Sequence, residues 1–259
     1  MTEAWANSGS YEPYVGRWSR LVAPAFLDWL GAGPGKRWLD VGCGTGALMA
    51  TVLATCDPVE VVGVDPSADY LGWARTHVSD DRARFVAADA TDLPPGPFDV
   101  VVSALALNFM PDAGAALAAM RARCPEGIVA AYVWDYSAGM ELIRRFWDAA
   151  VALDPAAADL DEGGRFPLCR RERLAALWRE QGFADVATRS IDVPTVFRDF
   201  DDYWTPFLGG QGPAPGYATS LDAARRERLR DRIRAALPTA ADGSITLTAR
   251  AWAVRGRTS

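Results

Sequence analysis

Short apolar runs alternate with amphipathic stretches through the first half of the chain. The run Val59-Glu60-Val61-Val62-Gly63-Val64 is typical of a parallel strand that is covered on both faces. The pattern predicts strands at residues 37–41, 59–64, 83–86, 98–102 and 127–133, and helices at 47–55, 67–77 and 113–123. Because strands and helices alternate, we expect a doubly wound α/β fold with a parallel sheet.

The second half of the chain is less regular. Its pattern predicts helices at 139–153 and 170–181, and strands at 185–193 and 244–254. The segment between these two strands, residues 194–243, holds a loop rich in glycine and proline and one arginine-rich helix. A connection of this length usually has its own structure and often has a binding role.

Three alternating glycines follow the first predicted strand. Gly42 and Gly44 have no Cβ, so they let the chain turn sharply and let a ligand approach the backbone, whereas Gly46 permits close packing of a helix on a strand. Asp65 closes the next strand, where a carboxylate can accept hydrogen bonds from both ribose hydroxyls. The spacing therefore predicts a nucleoside-bearing cofactor at the carboxyl edge of the sheet.

Two further acids support this prediction. Asp89 follows the third strand, where its carboxylate would accept from an adenine amino group while the amide of Ala90 donates to the ring. Asp40 stands just before the glycines and would attract an ammonium group.

A nicotinamide dehydrogenase is the alternative at this site. Gly42, Gly44 and Ala47 also satisfy the pattern G-x-G-x-x-A of dinucleotide-binding proteins. Asp89, together with the acid two places before the first glycine, favours a sulfonium cofactor over NAD.

These segments resemble the class I S-adenosylmethionine-dependent methyltransferases, in particular the group with the quinone-biosynthesis methyltransferases and trans-aconitate methyltransferase. The resemblance covers roughly residues 37–134 and rests on Leu-Asp-Val-Gly-Cys-Gly-Thr-Gly at 39–46, Val-Gly-Val-Asp-Pro-Ser at 62–67, Ala-Asp-Ala at 88–90 and Phe-Asp-Val-Val-Val-Ser at 98–103. It implies a Rossmann-like seven-stranded sheet whose last strand is antiparallel. It also implies one domain over residues 1–259, with an N-terminal lid at 1–35 and substrate-cap insertions at about 135–170 and 194–243.

The resemblance further implies S-adenosylmethionine as cofactor and S-adenosylhomocysteine as product. The backbone near the end of strand four would hold the methionine amino end, and an aromatic and basic N-terminal segment would cover the cofactor. The implied cofactor-binding residues are Tyr14, Arg17, Trp18, Asp40, Gly42, Gly44, Gly46, Asp65, Pro66, Asp89, Ala90 and Ser103.

Substrate residues are less well defined. Many relatives carry histidine where Asn108 stands, so a histidine base is excluded there and we expect Asn108 to orient the substrate. Asp135, just beyond strand five, is our candidate general base for a hydroxyl or acidic carbon, and a turn or helix-cap acid is the alternative.

The aromatic residues of the second half form either a core or the wall of a pocket for a small apolar or aromatic metabolite. The predicted substrate-binding residues among them are Trp134, Tyr136, Trp147 and Trp204.

Charge bears on the choice of substrate. The net charge of −6 argues against a surface devoted to phosphate backbones. Six arginines nevertheless fall between Arg225 and Arg234. They would bind RNA in an RNA or protein methyltransferase, or they form a solvated face over an apolar stripe, the reading that we favour. The predicted stripe is Leu221, Leu229, Ile233 and Leu237.

The composition bears on the cellular compartment of the protein and on metal binding. The four cysteines show neither paired nor metal-type spacing, which predicts reduced thiols, no metal site and a cytoplasmic protein. No apolar run approaches the ~20 residues that cross a bilayer, and residues 1–10 do not read as a signal peptide. We expect a monomer or homodimer with a small-molecule substrate.

Overall fold

The computed structural model describes residues 12–209 and 212–258 of the chain. Within them lie seven strands: β1 (Arg37–Val41), β2 (Glu60–Asp65), β3 (Ala83–Ala87), β4 (Val100–Ala104), β5 (Ile128–Trp134), β6 (Ala184–Phe197) and β7 (Ile245–Arg257). They form one sheet in the order β3-β2-β1-β4-β5-β7-β6, in which β1 to β5 pair in parallel and β7 is antiparallel. The predicted doubly wound fold is confirmed.

The described residues also form ten α-helices. They are α1 (Arg17–Leu30), α2 (Ala47–Thr55), α3 (Ala68–His77), α4 (Ala113–Arg123), α5 (Glu141–Leu153), α6 (Glu162–Arg165), α7 (Arg171–Glu180), α8 (Phe200–Trp204), α9 (Pro213–Ser220) and α10 (Ala223–Ala236). A π-helical turn spans Glu12–Gly16, and short 3-10 helices span Leu107–Phe109, Pro155–Leu160, Pro167–Cys169 and Thr205–Gly209. None of the helices in these described ranges is both long and apolar enough to span a membrane.

Alternate side chains of the parallel strands pack on opposite faces of the sheet. On one face, Leu39 and Val101 join a buried cluster with Leu117 of α4 and Trp178 of α7. The indole N–H of Trp178 donates to the carbonyl oxygen of Val129 in β5 at 3.1 Å. On the other face, Phe26 of α1 packs against Tyr132, with ring centroids 4.7 Å apart. Burial on both faces explains why these strands read as continuous apolar runs.

Strand β6 is longer than predicted. Its inward side chains continue past residue 193, because Thr195 and Phe197 are buried while Pro194 and Val196 between them are exposed. The predicted end at residue 193 is wrong, because the strand continues through Pro194 to Phe197. β6 is the last strand in the sheet order, and an edge strand tolerates a proline that donates no hydrogen bond.

The chain divides into two compact units. The first, here called the sheet unit, comprises Ser19–Val133, Leu168–Ile191 and 251–258. The second, here called the aromatic unit, comprises residues 12–18, 134–167, 192–209 and 212–250. The expectation of one domain with a lid and two cap insertions stays a prediction.

Aromatic side chains form the core of the aromatic unit. Phe146 of α5 stacks on Phe207 at 4.6 Å between ring centroids, and Tyr203 packs against Phe207 at 5.5 Å. The hydroxyl of Tyr203 donates to the carbonyl oxygen of Leu142 at 3.0 Å. This unit therefore has a core of its own.

Candidate active site

The turn after β1 is tight. The N–H groups of Gly42 and Cys43 both donate to the carbonyl oxygen of Val64, at 2.8 and 3.0 Å. Gly42 has a φ of 76°, and a Cβ there would lie 2.4 Å from the Cβ of Ala106. The missing side chain of Gly42 thus accommodates Ala106, a contact that the sequence did not predict. At Gly44, by contrast, a Cβ would meet no atom within 4 Å, so this backbone is open.

Gly46 has a different neighbour from the one predicted. It is the N-cap of α2 with a φ of 81°, and a Cβ there would lie 3.0 Å from Val78 and 3.4 Å from Ala74. Ala74 belongs to α3 and Val78 caps its end. Gly46 therefore permits packing of a helix on a helix, and the predicted packing on a strand is wrong.

Asp65 connects the glycine turn to the next helix. It ends β2 and is buried; its Oδ2 accepts from the Gly44 N–H and its Oδ1 from the Ser67 N–H, both at 2.9 Å. Burial raises the pKa of Asp65, and the two backbone donors counteract that rise. Each carboxylate oxygen has a second lone pair. Asp65 can therefore accept two more hydrogen bonds while it holds the turn.

Asp40 lies one strand away, where it pairs in register with Gly63 of β2. Its side chain is 1% exposed, and neither carboxylate oxygen has a hydrogen-bond partner among the described residues. Burial, and secondly the charge of Asp65, raises the pKa of Asp40 to about 8. A buried carboxylate is costly unless it is paired, so this position fits a positively charged ligand group such as an ammonium.

The end of β4 and the loop after it carry two more buried polar atoms. Ser103 Oγ and Asn108 Oδ1 have no hydrogen-bond partner within residues 12–209 and 212–258. Between them Leu105 has a φ of 59°, a left-handed conformation that is unusual for a bulky residue. Ala106 follows and contacts Gly42 at the glycine turn. Polar atoms without partners therefore lie at the end of β4 and on the loop that touches this turn.

Asp89 completes the row of acids. Ala87 of β3 pairs with Asp65 of β2, and Asp89 stands two residues further on. Its Oδ1 accepts from the N–H and the hydroxyl of Thr91, at 2.9 and 2.8 Å, and these bonds lower the pKa of Asp89. The side chain is exposed, as is Pro66 after β2, and Ala90 is half-buried. Strands β1, β2 and β3 thus bring three acids to one edge of the sheet.

The predicted lid residues belong to the aromatic unit. Arg17 forms an ion pair with Asp202 at 3.0 Å and lies 4.3 Å from the ring centroid of Trp18. Trp18 packs against Phe197 at 5.3 Å, and Tyr14 is buried. The guanidinium of Arg17 is therefore already bound by a carboxylate, and the cofactor role of these three residues stays a prediction.

Asp135, the predicted base, is tied into a turn of the aromatic unit. Its Oδ1 accepts from the Ser137 hydroxyl at 2.7 Å and from the Ala138 N–H at 3.1 Å, while Arg250 approaches its Oδ2 at 4.0 Å. These bonds match the alternative in which Asp135 is a turn acid, and its role as a general base stays a prediction.

The predicted substrate aromatics are all buried. Their exposed fractions are 5% or less for Trp134, Tyr136, Trp147 and Trp204. Trp147 packs against Phe146 at 5.2 Å, which fits the core alternative, and their role in substrate binding stays a prediction. Trp134 alone of the four has a buried Nε1 without a partner among the described residues.

Glu162 is a buried acid that sequence reasoning missed. It begins α6, is 3% exposed, and accepts a hydrogen bond from the indole N–H of Trp147. The surrounding Asp161-Glu162-Gly163-Gly164-Arg165 reads as a solvated loop. Only the pattern of an N-cap at Asp161 predicts a helix here, and nothing local indicates burial.

The arginine-rich helix is α10. Leu229, Ile233 and Leu237 of the predicted stripe are buried, whereas Leu221 lies before the helix and is half-buried. Arg230 pairs with Glu227 at 3.0 Å, and Arg234 lies 4.3 Å from the ring centroid of Phe200. The helix therefore has a solvated face over an apolar stripe, as in the alternative that we favour.

Several known proteins resemble the chain. A family described as "Methyltransferase domain" matches residues 39–127. A demethylmenaquinone methyltransferase of Beutenbergia cavernae is 34% identical over 185 residues, which cover 66% of this chain and 75% of the relative. A ubiquinone biosynthesis O-methyltransferase of Aromatoleum aromaticum is 32% identical over 123 residues, and the match spans 50% of that relative.

Solved structures also match the fold. A phosphoethanolamine N-methyltransferase 2 of Haemonchus contortus, solved in complex with S-adenosyl-L-methionine, gives a TM-score of 0.59 at 17% identity over 97% of this chain and 56% of that chain. At this identity the match shows the fold alone. The agreement of motifs, sheet order and relatives overturns the dehydrogenase alternative and bears out the resemblance seen in the sequence. The chain belongs to the class I S-adenosylmethionine-dependent methyltransferases and is an enzyme of that family.

Proposed function

We propose that the enzyme methylates a small apolar or aromatic metabolite and binds S-adenosylmethionine at the acid-bearing edge of the sheet unit. The observation that carries the cofactor site is the pair Asp40 and Asp65. The carboxylate of Asp65 accepts from two backbone N–H groups and keeps further lone pairs available. The carboxylate of Asp40 is buried and has no hydrogen-bond partner among the described residues. A ribose and an ammonium group match these two positions.

Each residue of the edge has a defined task in this proposal. Asp65 accepts from the ribose hydroxyls, and the Oδ2 of Asp89, which Thr91 leaves available, accepts from the adenine amino group. Asp40 binds the methionine ammonium group, which stabilises its ionised form and lowers its raised pKa. Gly44 lets the ligand approach the backbone because no atom fills the position of its Cβ.

The chemistry is a direct displacement. When it is bound, S-adenosylmethionine supplies an activated methyl carbon, to which the acceptor forms a bond as the carbon–sulfur bond breaks. The protein holds the acceptor in line and excludes water, and such alignment contributes on the order of 7–11 kcal/mol.

A small acceptor is favoured over RNA or protein. The two relatives are named for quinone-related methylation. Two arginines of α10 are already engaged, Arg230 with Glu227 and Arg234 with the ring of Phe200, within the solvated face described above.

Calorimetry with S-adenosylhomocysteine and with NAD⁺ tests the cofactor site. We expect heat from S-adenosylhomocysteine only. Asp65→Ala should weaken its binding ~100-fold, because charge-assisted hydrogen bonds contribute about 1.5–3 kcal/mol each. Asp65→Asn, which keeps one carbonyl acceptor, serves as the variant more certain to fold. Heat from NAD⁺ alone, or unchanged affinity in both variants, would falsify the proposed site.

Asp92→Asn is the matched control, because Asp92 is an exposed acid three residues beyond Asp89. Its binding of S-adenosylhomocysteine should equal that of the wild type. Methyl transfer from labelled S-adenosylmethionine to small-metabolite pools, total RNA and protein extract then separates the acceptor classes. Label in RNA or protein but in no small molecule would overturn the proposed acceptor.

A further inference from the structure

A second buried polar cluster lies entirely within the aromatic unit. Its Tyr14 is among the residues that the resemblance implies for the cofactor, but the proposed cofactor site at the edge of the sheet unit does not use it. Glu162 is 3% exposed and accepts from the indole N–H of Trp147. The hydroxyl of Tyr14 is also buried, and it has no hydrogen-bond partner within the described ranges. An unpaired buried hydroxyl is unfavourable, and such groups in native proteins call for an explanation such as a ligand.

The acid is held in place by its neighbours. Arg144 of α5 bonds both carboxylate oxygens of Asp161, at 2.6 and 2.8 Å, and donates to the carbonyl oxygen of Tyr136 at 3.1 Å. Asp161 in turn accepts from the Gly163 N–H at 2.8 Å and caps α6. This bidentate bond fixes the first turn of α6, and therefore the position of Glu162.

Aromatic rings connect the two polar groups. Tyr14 packs edge-on against Phe207 at 5.5 Å, Phe207 stacks on Phe146 at 4.6 Å, and Phe146 meets Trp147 at 5.2 Å. Burial, and secondly the charge of Glu162, raises the pKa of Tyr14 well above its usual range. Tyr14 is therefore a neutral hydroxyl that both donates and accepts, whereas an ionised Glu162 only accepts.

We propose that Glu162 and Tyr14 bind the polar head of the methyl acceptor, an aromatic molecule whose head donates a hydrogen bond as a hydroxyl or an ammonium group. Glu162 accepts the hydrogen bond that the head donates, and the surrounding rings contact the apolar body of the acceptor. A hydroxyl head would also accept from Tyr14, whereas an ammonium head would use Glu162 alone. This inference rests on the proposed function, since it names the acceptor class of the same enzyme.

Three fluorinated probes test the proposal: 4-fluorophenol, 4-fluorobenzylamine and 4-fluorotoluene. Each is titrated by ¹⁹F NMR into the full chain saturated with S-adenosylhomocysteine. We expect the phenol or the amine to bind at least 10-fold more tightly than the toluene. Glu162→Gln should weaken the preferred probe at least 10-fold without affecting 4-fluorotoluene. Tyr14→Phe should weaken the phenol only.

Two matched controls lie in the same unit: Asp159→Asn removes an exposed acid, and Tyr217→Phe removes the hydroxyl of a ring that packs on Trp147. Both should leave the probe ranking unchanged. Equal binding of all three probes by the wild type, or binding of none, overturns this inference even where a variant does not fold. Affinity for S-adenosylhomocysteine is measured on the same samples. Its absence in the wild type refutes the proposed function instead.

Discussion

The two units place their acids in different ways. In the sheet unit, Asp40, Asp65 and Asp89 each stand at or just beyond the end of a strand, so the backbone alone brings them to one edge. In the aromatic unit, Glu162 depends on Trp147 and on the Arg144–Asp161 bond, which join separate stretches of chain. A site built from strand ends can be predicted from local sequence, whereas a site built from packed side chains cannot.

The titration of Asp40 is the strongest test of this difference. If the strand alone places Asp40, its carboxylate has no donor to stabilise it, and Asp40 has none in the described chain, whereas Asp135 and Glu162 of the aromatic unit do. Its pKa rises from 3.8 to about 8 on folding, so the folded state binds the proton more tightly. The contribution of Asp40 to stability should be greatest below pH ~4 and should be lost as the pH rises through about 8. Asp40→Asn removes this loss, which is on the order of 5 kcal/mol.

Urea unfolding of the ligand-free protein between pH 4 and pH 9 measures this effect as the difference between wild type and Asp40→Asn. Asp92→Asn should follow the wild-type curve. Parallel curves for wild type and Asp40→Asn would mean that the carboxylate is paired in the folded protein, and the contrast between the units would fail.

A substitution of the backbone turn tests whether geometry defines the cofactor edge. Gly42→Ala would place a Cβ 2.4 Å from Ala106 at a φ of 76°. Overpacking and left-handed strain should together cost ~3–5 kcal/mol and weaken S-adenosylhomocysteine binding at least ~100-fold. Gly72→Ala is the control with the opposite sign. Gly72 lies exposed in α3 with open space at its Cβ position, so alanine should stabilise the protein by up to ~1 kcal/mol.

A matched pair of tryptophans compares the units directly. Both are fully buried, but Trp178 donates to a backbone carbonyl and Trp147 to a carboxylate. Phenylalanine at either position should cost ~1–3 kcal/mol in chemical unfolding. Only Trp147→Phe should also change the affinity for the fluorinated probes, and neither should change that for S-adenosylhomocysteine. Equal effects on the probes would leave Glu162 without a role in acceptor binding.

The smallest effect is expected on α10. Arg228 and Arg232 are exposed, so glutamine at both positions should change stability by less than ~0.5 kcal/mol. Filter binding of total RNA at low and high salt should show no difference from the wild type. A loss of salt-dependent RNA binding in the double variant would revive the nucleic-acid alternative.

Most of the fold could be predicted from the sequence because the patterns that determine it are local. The glycine turn and the strand-end acids follow from patterns within a few residues of each other, and the order of elements follows from apolar periodicity. The predictions were wrong where contacts between residues distant in the sequence determine the structure. A proline would interrupt a central strand, but Pro194 is tolerated in β6 because this strand lies at the edge of the sheet. Gly46 packs against the end of α3, which lies about thirty residues further along the chain.

The candidate acceptor site could not be read in the same way. Glu162 lies among glycines and charged residues. It accepts a hydrogen bond from Trp147, and its neighbour Gly163 lies close to Tyr136 and Arg144, contacts that no short motif encodes. Asp135 is predicted as a base from its position after β5 alone, beside the alternative of a turn or helix-cap acid. Its bonds to Ser137 and Ala138 are short-range turn geometry of the kind that Asp-x-Ser indicates.

The interleaving of the two units along the chain limits how the enzyme can be cut or recombined. The aromatic unit is built from three stretches of chain, which Ser19–Val133 and Leu168–Ile191 of the sheet unit separate. Any single fragment that contains the whole aromatic unit also contains Ser19–Val133 and Leu168–Ile191 of the sheet unit, and a cut at either end of Asp192–Arg250 divides β6 or β7. Transplanting acceptor specificity between relatives will therefore require grafting several segments at once, and divergence of this enzyme is expected to proceed by point substitution rather than by exchange of a module.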